Sequence, residues 1–419
     1  MPNPSFAPFR SRDFSIMFAG ALVSNIGTWM ETVALSYYVA DTTGKASWAA
    51  IVGAAGFLPQ AILGPVGSAM SDRLHRGRVL MTSNAIQLVI AACLAIWVGG
   101  GGATPLGIAM LGFANGCAGA FGFPSFQNTL PRLVPREQLV AAVGLSNAQW
   151  TLGRIIGPSL AGIAIAIGGI GTALWCNAAS FLAVIIAVAV VRIGPSSGEH
   201  RPVLGALADG FRFARTNLDM RRMVPLMIVV IAFGSPFVAF VSQMATVEFH
   251  GDEKSTSFLV AAQGIGAVIG AFTLGWSTGK WGLWRVMIAS ILVFGGALVL
   301  YGSAPVIWVA AIGLVGCGFG YGSAFTTFAG VAQEAASEDM RGRALAVNTF
   351  VLGTLYPIGA LIQGALADSV GLKRITAASG VLVLAGLCWR LMVIRRGRLL
   401  SAAAAGPAMP EASGARSWR

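Results

Sequence analysis

Apolar runs of bilayer-crossing length follow one another along nearly the whole chain, and they limit its possible folds more than any other feature. Hydrocarbon offers no partner to a backbone amide or carbonyl. A segment crossing ~30 Å of it must close its hydrogen bonds within a helix, which takes roughly 20 residues. Applied along the 419 residues, this rule predicts helices at about 14–40, 47–70, 79–99, 104–129, 139–165, 170–191, 223–248, 257–277, 286–303, 305–329, 344–367 and 373–394. The expected fold class is an all-α membrane protein, with twelve transmembrane helices in two pseudo-symmetric six-helix bundles. A soluble alternative is excluded by composition, since 56% hydrophobic and 11% charged residues with a mean hydropathy of +0.74 exceed what a water-soluble core can hide.

A net charge of +12 would suit a nucleic-acid binder if it were spread over a surface, but the charges segregate. With the N-terminus inside, Lys45, Lys254, Lys373 and Arg374 face outward and Arg154 lies within a span. The other lysines and arginines fall in loops, helix ends and the tail of the opposite side. That is the positive-inside pattern, and it makes the lipid bilayer the partner of these charges rather than nucleic acid. It also places both termini in the cytoplasm of a multi-pass membrane protein. Arg10, Arg12 and Asp13 precede an apolar stretch without a small-residue cleavage site, which reads as a retained first helix.

The chain divides into an N-terminal bundle at 1–191, a basic linker at 192–222, a C-terminal bundle at 223–396 and a tail at 397–419. An amphipathic stretch from Leu204 to Phe213 suits the linker to the cytoplasmic membrane surface. The tail is rich in Ala, Gly, Ser and Pro and is expected to be disordered. Asn147 and Asn348 occupy matching places in the two halves, each following an Arg-bearing loop and preceding a proline, Pro158 or Pro357. This echo fits repeated halves around a midplane site.

The five cysteines form no CxxC pair and do not cluster with His75, His200 or His250, so neither disulfide, metal nor other cofactor is expected. The three histidines lie in loops, which leaves an intramembrane enzyme without a base facing a nucleophile. No G-x-x-x-x-G-K-[ST] loop is present to support ATP-driven pumping.

Two motifs stand out. Between the second and third helices the chain runs from Gly64 through Asp72-Arg73 to Arg76 and Arg78. Small residues allow close helix approach there, and an acid at the membrane edge can face arginines or a helix N-terminus. The expected cytoplasmic latch comprises Gly64, Asp72, Arg73, Arg76 and Arg78 with Arg341 and Arg343 before the eleventh helix. In the fifth helix Gly144, Gly153, Gly157-Pro158 and Gly162 form a small-residue surface with a proline bend.

The first motif resembles motif A of the major facilitator superfamily, with Ser68 and His75 at two positions where glycine is usual. The second resembles the antiporter motif C of its exporters, with Ala161 replacing one glycine. The stretches Ser24-Asn25-Ile26-Gly27-Thr28-Trp29, Phe57-Leu58-Pro59-Gln60, Leu130 to Pro135 and Arg154-Ile155-Ile156-Gly157-Pro158 look like the enterobactin-exporter and secretion-effector branch of the drug:proton antiporters. The resemblance covers about residues 6–395. It implies the twelve-helix major facilitator fold, a place in a bacterial inner membrane, alternating access, and export of amphipathic compounds or siderophores driven by the proton gradient.

Charges inside spans are candidates for function, because burying one without a partner costs several kcal/mol. Glu31, the only acid well inside a span, is the proton-coupling candidate. Arg154, in the fifth helix, is either its ion-pair partner or a contact for an anionic substrate group. Polar and aromatic residues expected to line a cavity are Asn25, Trp29, Gln60, Asn147, Trp150, Gln243, Phe325, Asn348 and Tyr356. The resulting expectation is a monomeric secondary exporter of an amphipathic small molecule, coupled to protons. An importer or facilitator on the same fold is the alternative, and a nontransporting receptor or scaffold would want soluble domains.

Overall fold

In a computed structural model of the chain, residues 4–191, 193, 203–337 and 340–404 are described. The side chains of Asp72, Arg73 and Asn147 lie outside the described residues, as do residues 405–419 of the tail. Every long element is helical. A short 3-10 turn, Pro4–Arg10, leads into α1 (Arg12–Thr43), followed by α2 (Ala46–Arg73), α3 (Arg76–Gly99), α4 (Pro105–Thr129) and α5 (Leu139–Val190). Then come α6 (Val203–Thr216) and α7 (Leu218–Val229), which continues in irregular turns to Glu248. The chain finishes with α8 (Glu253–Trp281), α9 (Leu283–Gly302), α10 (Ile307–Ala335), α11 (Arg341–Val370) and α12 (Leu372–Ala404). Among the described residues, ten helical runs are long and apolar enough to cross a membrane.

Helix ends are set by local chemistry. Thr104 caps α4 by accepting from the Gly107 amide, with Pro105 in the first turn where no amide is needed. Asn217 does the same for α7 and Asp252 for α8. The 52 residues of α5 would span about 78 Å as one rod, far beyond one bilayer. The helix breaks at Gly168 and Gly169, and Gly169 takes a φ of +74° that side chains rarely tolerate. Two limbs result, 139–167 and 170–190, matching the two helices expected there.

The seventh helix departs from expectation. It begins at Leu218 rather than near 223, and beyond Val229 it passes through wide turns at Val230–Gly234 and Met244–Glu248 and a tight stretch at Ser235–Phe240. Pro236 supplies no amide for the Ala232 carbonyl one turn back, and in hydrocarbon no water can replace it. Gln363 of α11 repairs the gap, its Nε2 donating to the Ala232 and Phe233 carbonyls at 3.2 and 2.9 Å. Ser379 of α12 donates to the Gln363 Oε1, which holds the amide in place. The last helix also outruns expectation, so residues 397–404 are helical.

Helices α1 to α5 pack on one another, as do α7 to α12. Contact between these sets is carried mainly by α2 against α11 and by α5 against α8. At one end, Asp368 of α11 caps α2, its Oδ1 accepting from the Ala46 amide at 2.7 Å. Ser257 of α8 donates to the Gly162 carbonyl of α5 at 3.2 Å at the same end.

Candidate functional site

Arg154 sits on the first limb of α5, one turn before Pro158. The proline has no amide to give the Arg154 carbonyl, so the motif that bends the helix also loosens the backbone at the charge. Close approach to α1 follows from the two glycines around it. A Cβ at Gly153 would lie 2.7 Å from the Asn25 Cβ, and one at Gly157 would lie 2.5 Å from the Trp29 Cβ. Gly162 lies against Ser257, whereas Gly144 has open space beside it and contributes no close contact. Held this way, the Arg154 guanidinium stands 4.3 Å from the Tyr321 ring centre, 5.3 Å from Phe325 and 5.7 Å from Trp29.

Two adjoining clefts share Arg154, Pro158 and Gln263. One, of about 620 Å³, follows α8 from Gln263 to Leu274 and α10 from Gly318 to Thr326, leading away from the end pinned by Ser257 and Asp368. The other, of about 420 Å³, reaches Trp29, Ser36 and Ser242. A third cleft, of about 750 Å³, lies among α1 to α5 and is lined by Asn25, Gln60, Asn84, Gln127, Gln149 and Trp150, among others. Aromatic rings bridge the clefts: Trp150 packs on Trp29 at 6.4 Å, Trp29 on Phe57 at 6.4 Å and Phe57 on Tyr356 at 5.6 Å.

Glu31 does not pair with Arg154. Its Oε2 accepts from the Nδ2 of Asn177, on the second limb of α5. Gly27, one turn earlier on α1, makes this contact possible, because any side chain there would run into Ser180. Ser180 in turn donates to the Asn177 carbonyl at 2.7 Å. Both members of the pair are buried, Glu31 at 7% and Asn177 at 0% exposure.

Of the other cavity candidates, Phe325 lines the cleft beside Arg154. Gln243 and Asn348 are buried polar side chains off the clefts, with both amide atoms of Gln243 and the Asn348 Oδ1 lacking partners. Tyr356 is buried against Phe57. At the opposite end, Gly64 has open space beside it, Arg76 is buried and Arg78 exposed. Arg343 pairs with Asp209 of α6 at 3.1 Å, and the Arg341 Nε is buried without a partner. Sequence reasoning missed Asn177, Tyr321, Gln263 and Asp209. An amide within the apolar 170–190 limb was the available signal for Asn177, and an aromatic pair at i and i+4 for Tyr321 with Phe325.

Comparison with known proteins places this geometry. The chain is 26% identical to the multidrug efflux pump Tap of Mycolicibacterium fortuitum, over 85% of this chain and 89% of that one. It is 24% identical to macrolide efflux protein A of Streptococcus pyogenes, over 88% and 93%. Identity to the staphyloferrin A transporter of Staphylococcus aureus is 22%, over 87% and 92%. Among solved structures, the nucleoside transporter NupG superposes with a TM-score of 0.70 at 12% identity, covering 91% of this chain and 99% of that one. A POT family transporter in complex with 5-aminolevulinic acid superposes with a TM-score of 0.71 at 13% identity, over 91% and 96%. The fold is thus that of the major facilitator transporters, not of a catalytic enzyme. The family model described as transmembrane secretion effector matches residues 3–410, and the chain belongs to that family of multi-pass membrane transporters of small molecules.

Proposed function

We propose that the protein is a secondary active exporter of an amphipathic small molecule, driven by the proton gradient and working by alternating access. Counting α1 and the two limbs of α5 with the other spans gives twelve crossings in two six-helix bundles. The basic residues orient both termini to the cytoplasm. The observation that carries alternating access is an asymmetry between the ends among the described residues. The helix sets are pinned where Asp368 caps α2 and Ser257 meets Gly162, while the cleft at Arg154 runs away from that end. On the proposed orientation, this is a state closed to the outside and accessible from within. Names of the relatives, two efflux proteins among them, favour outward movement of drug-like compounds.

The proton step falls to Glu31, one of whose oxygens can go on accepting from the Asn177 Nδ2 while the other gains or loses the proton. Everted membrane vesicles given an imposed pH gradient test the whole reading, with a labelled macrolide and a labelled siderophore as probes. Gradient-dependent accumulation of either supports it. Equal accumulation with and without the gradient, at verified protein content, sinks proton-driven export.

A further inference from the structure

A guanidinium within a membrane span is costly unless something neutralises it. Among the described residues, no carboxylate lies within ion-pair distance of Arg154, and its contacts are the faces of Tyr321, Phe325 and Trp29. A ring face returns only about 0.5–2 kcal/mol to a cation, and the half-buried guanidinium keeps hydrogen-bonding capacity toward the clefts. The one buried acid among the described residues is already bound: Glu31 accepts from Asn177.

The surroundings of Arg154 share this imbalance. Among the described residues, no Asp or Glu lines either cleft that contains Arg154, nor the polar cleft among α1 to α5. The Trp29 Nε1, a donor with no capacity to accept, is buried without a partner. The site therefore holds one positive charge and one unpartnered donor, and among its described lining residues no carboxylate to meet them. The two clefts meet at Arg154, Pro158 and Gln263, so a guest in either one reaches the guanidinium. Their aromatic walls favour a flat ring.

We propose that Arg154 recognises an aromatic anion, an aryl carboxylate or phenolate whose acidic group engages the guanidinium while its ring packs against Tyr321, Phe325 and Trp29. Two parallel hydrogen bonds from the planar fork to a carboxylate satisfy the charge better than the rings alone. A lipophilic cation of equal size meets a like charge and finds no carboxylate among the described residues of the cleft walls, so the same site selects against it. The inference rests on the transport reading in one respect, that this cleft is the substrate's passage.

Equilibrium binding to the full chain in lipid nanodiscs tests it, using three probes with the same ring system: 2-naphthoate, 2-naphthamide and 2-naphthylmethylammonium. Naphthoate is expected to bind wild type at least about tenfold more tightly than either analogue, the size of one charge-assisted contact. Arg154→Gln should erase that advantage, and Arg154→Lys should retain part of it. Gln263→Glu places an acid on the wall both clefts share, and should turn the preference toward the ammonium even if Arg154→Gln does not fold. Thermal melting of each variant reports folding. The inference is overturned if the ammonium equals or beats naphthoate in wild type. It is equally overturned if naphthoate affinity is unchanged in folded Arg154→Gln, or if none of the three probes binds. Naphthoate binding without gradient-driven transport supports this site while removing proton-driven export, so the two failures are separable.

Discussion

Glu31 and Arg154 lie on helices that touch, α1 and α5, yet the protein accommodates them in contrasting ways. The carboxylate is sealed: Gly27 draws the second limb of α5 close, Asn177 donates to the acid, and Ser180 braces Asn177. The guanidinium is left in a cleft with rings for neighbours and no acid among the described residues of its walls. A sealed charge with a hydrogen-bonding partner suits a group that gains and loses a small ion. An open charge with unmet bonding capacity suits one that waits for a guest. The contrast assigns the two residues different proposed tasks, and each assignment can be broken separately.

The largest effect is expected from Glu31→Gln, which keeps the shape but removes the exchangeable proton. Gradient-driven accumulation in everted vesicles should fall to the gradient-free level, at least about tenfold, whereas probe exchange without a gradient should change less than about threefold. Retained coupling would transfer the proton step to another residue and dissolve the contrast. Next comes Asn177→Leu, which strands the acid without its donor. A hydrogen bond to a charged group contributes about 1.5–3 kcal/mol, at the lower end or below it between membrane helices. The melting temperature should drop by several degrees, and Glu31→Leu in the same chain should recover most of it. Strictly additive losses would show that the two side chains do not depend on each other.

How much of this was legible beforehand depended on whether the determining interaction is local. Span positions were readable because apolar length is a local property, and the division of 139–190 was readable because Gly168 and Gly169 interrupt the run. Arg154 was recognisable as a charge in an apolar helix. Its neighbours Tyr321 and Gln263 were not, since they come from helices far along the chain. The partner of Glu31 was open between Arg154 and none, and it proved to be an amide 146 residues away. Pro236 announced a disturbed seventh helix, but only the position of Gln363 explains how the disturbance is tolerated. On the linker side, Arg343 was grouped with Asp72 in a latch at the N-terminus of the eleventh helix, and among the described residues it pairs with Asp209, which α6 contributes.

A smaller effect is expected on the open side of the comparison. Tyr321 is the ring nearest Arg154, and Tyr321→Leu removes one cation–π contact worth about 0.5–2 kcal/mol. Affinity for 2-naphthoate should weaken several-fold, with melting little changed, and Tyr321→Phe should stay within about twofold of wild type because the ring face is retained. If phenylalanine were as damaging as leucine, the hydroxyl rather than the ring would be the working part. Arg154 would then belong to a hydrogen-bonded network more like that of Glu31.

The smallest effect is expected from Asp209→Asn, which takes the same comparison to the molecule's surface. Asp209 and Arg343 form an ion pair whose side chains are 46% and 29% exposed, so water screens it, and such pairs contribute about 0–1 kcal/mol. What seats α6 on α11 is mainly steric. A Cβ at Gly210 would lie 2.5 Å from the Arg343 carbonyl, and Phe211 packs edge-on against Phe350 at 5.5 Å. With those contacts intact, Asp209→Asn should alter transport rate by no more than about twofold at physiological salt, with a larger change only at low ionic strength. A severe loss at physiological salt would mean that this linker pair, despite its exposure, controls the cytoplasmic end as firmly as the buried charges control the passage.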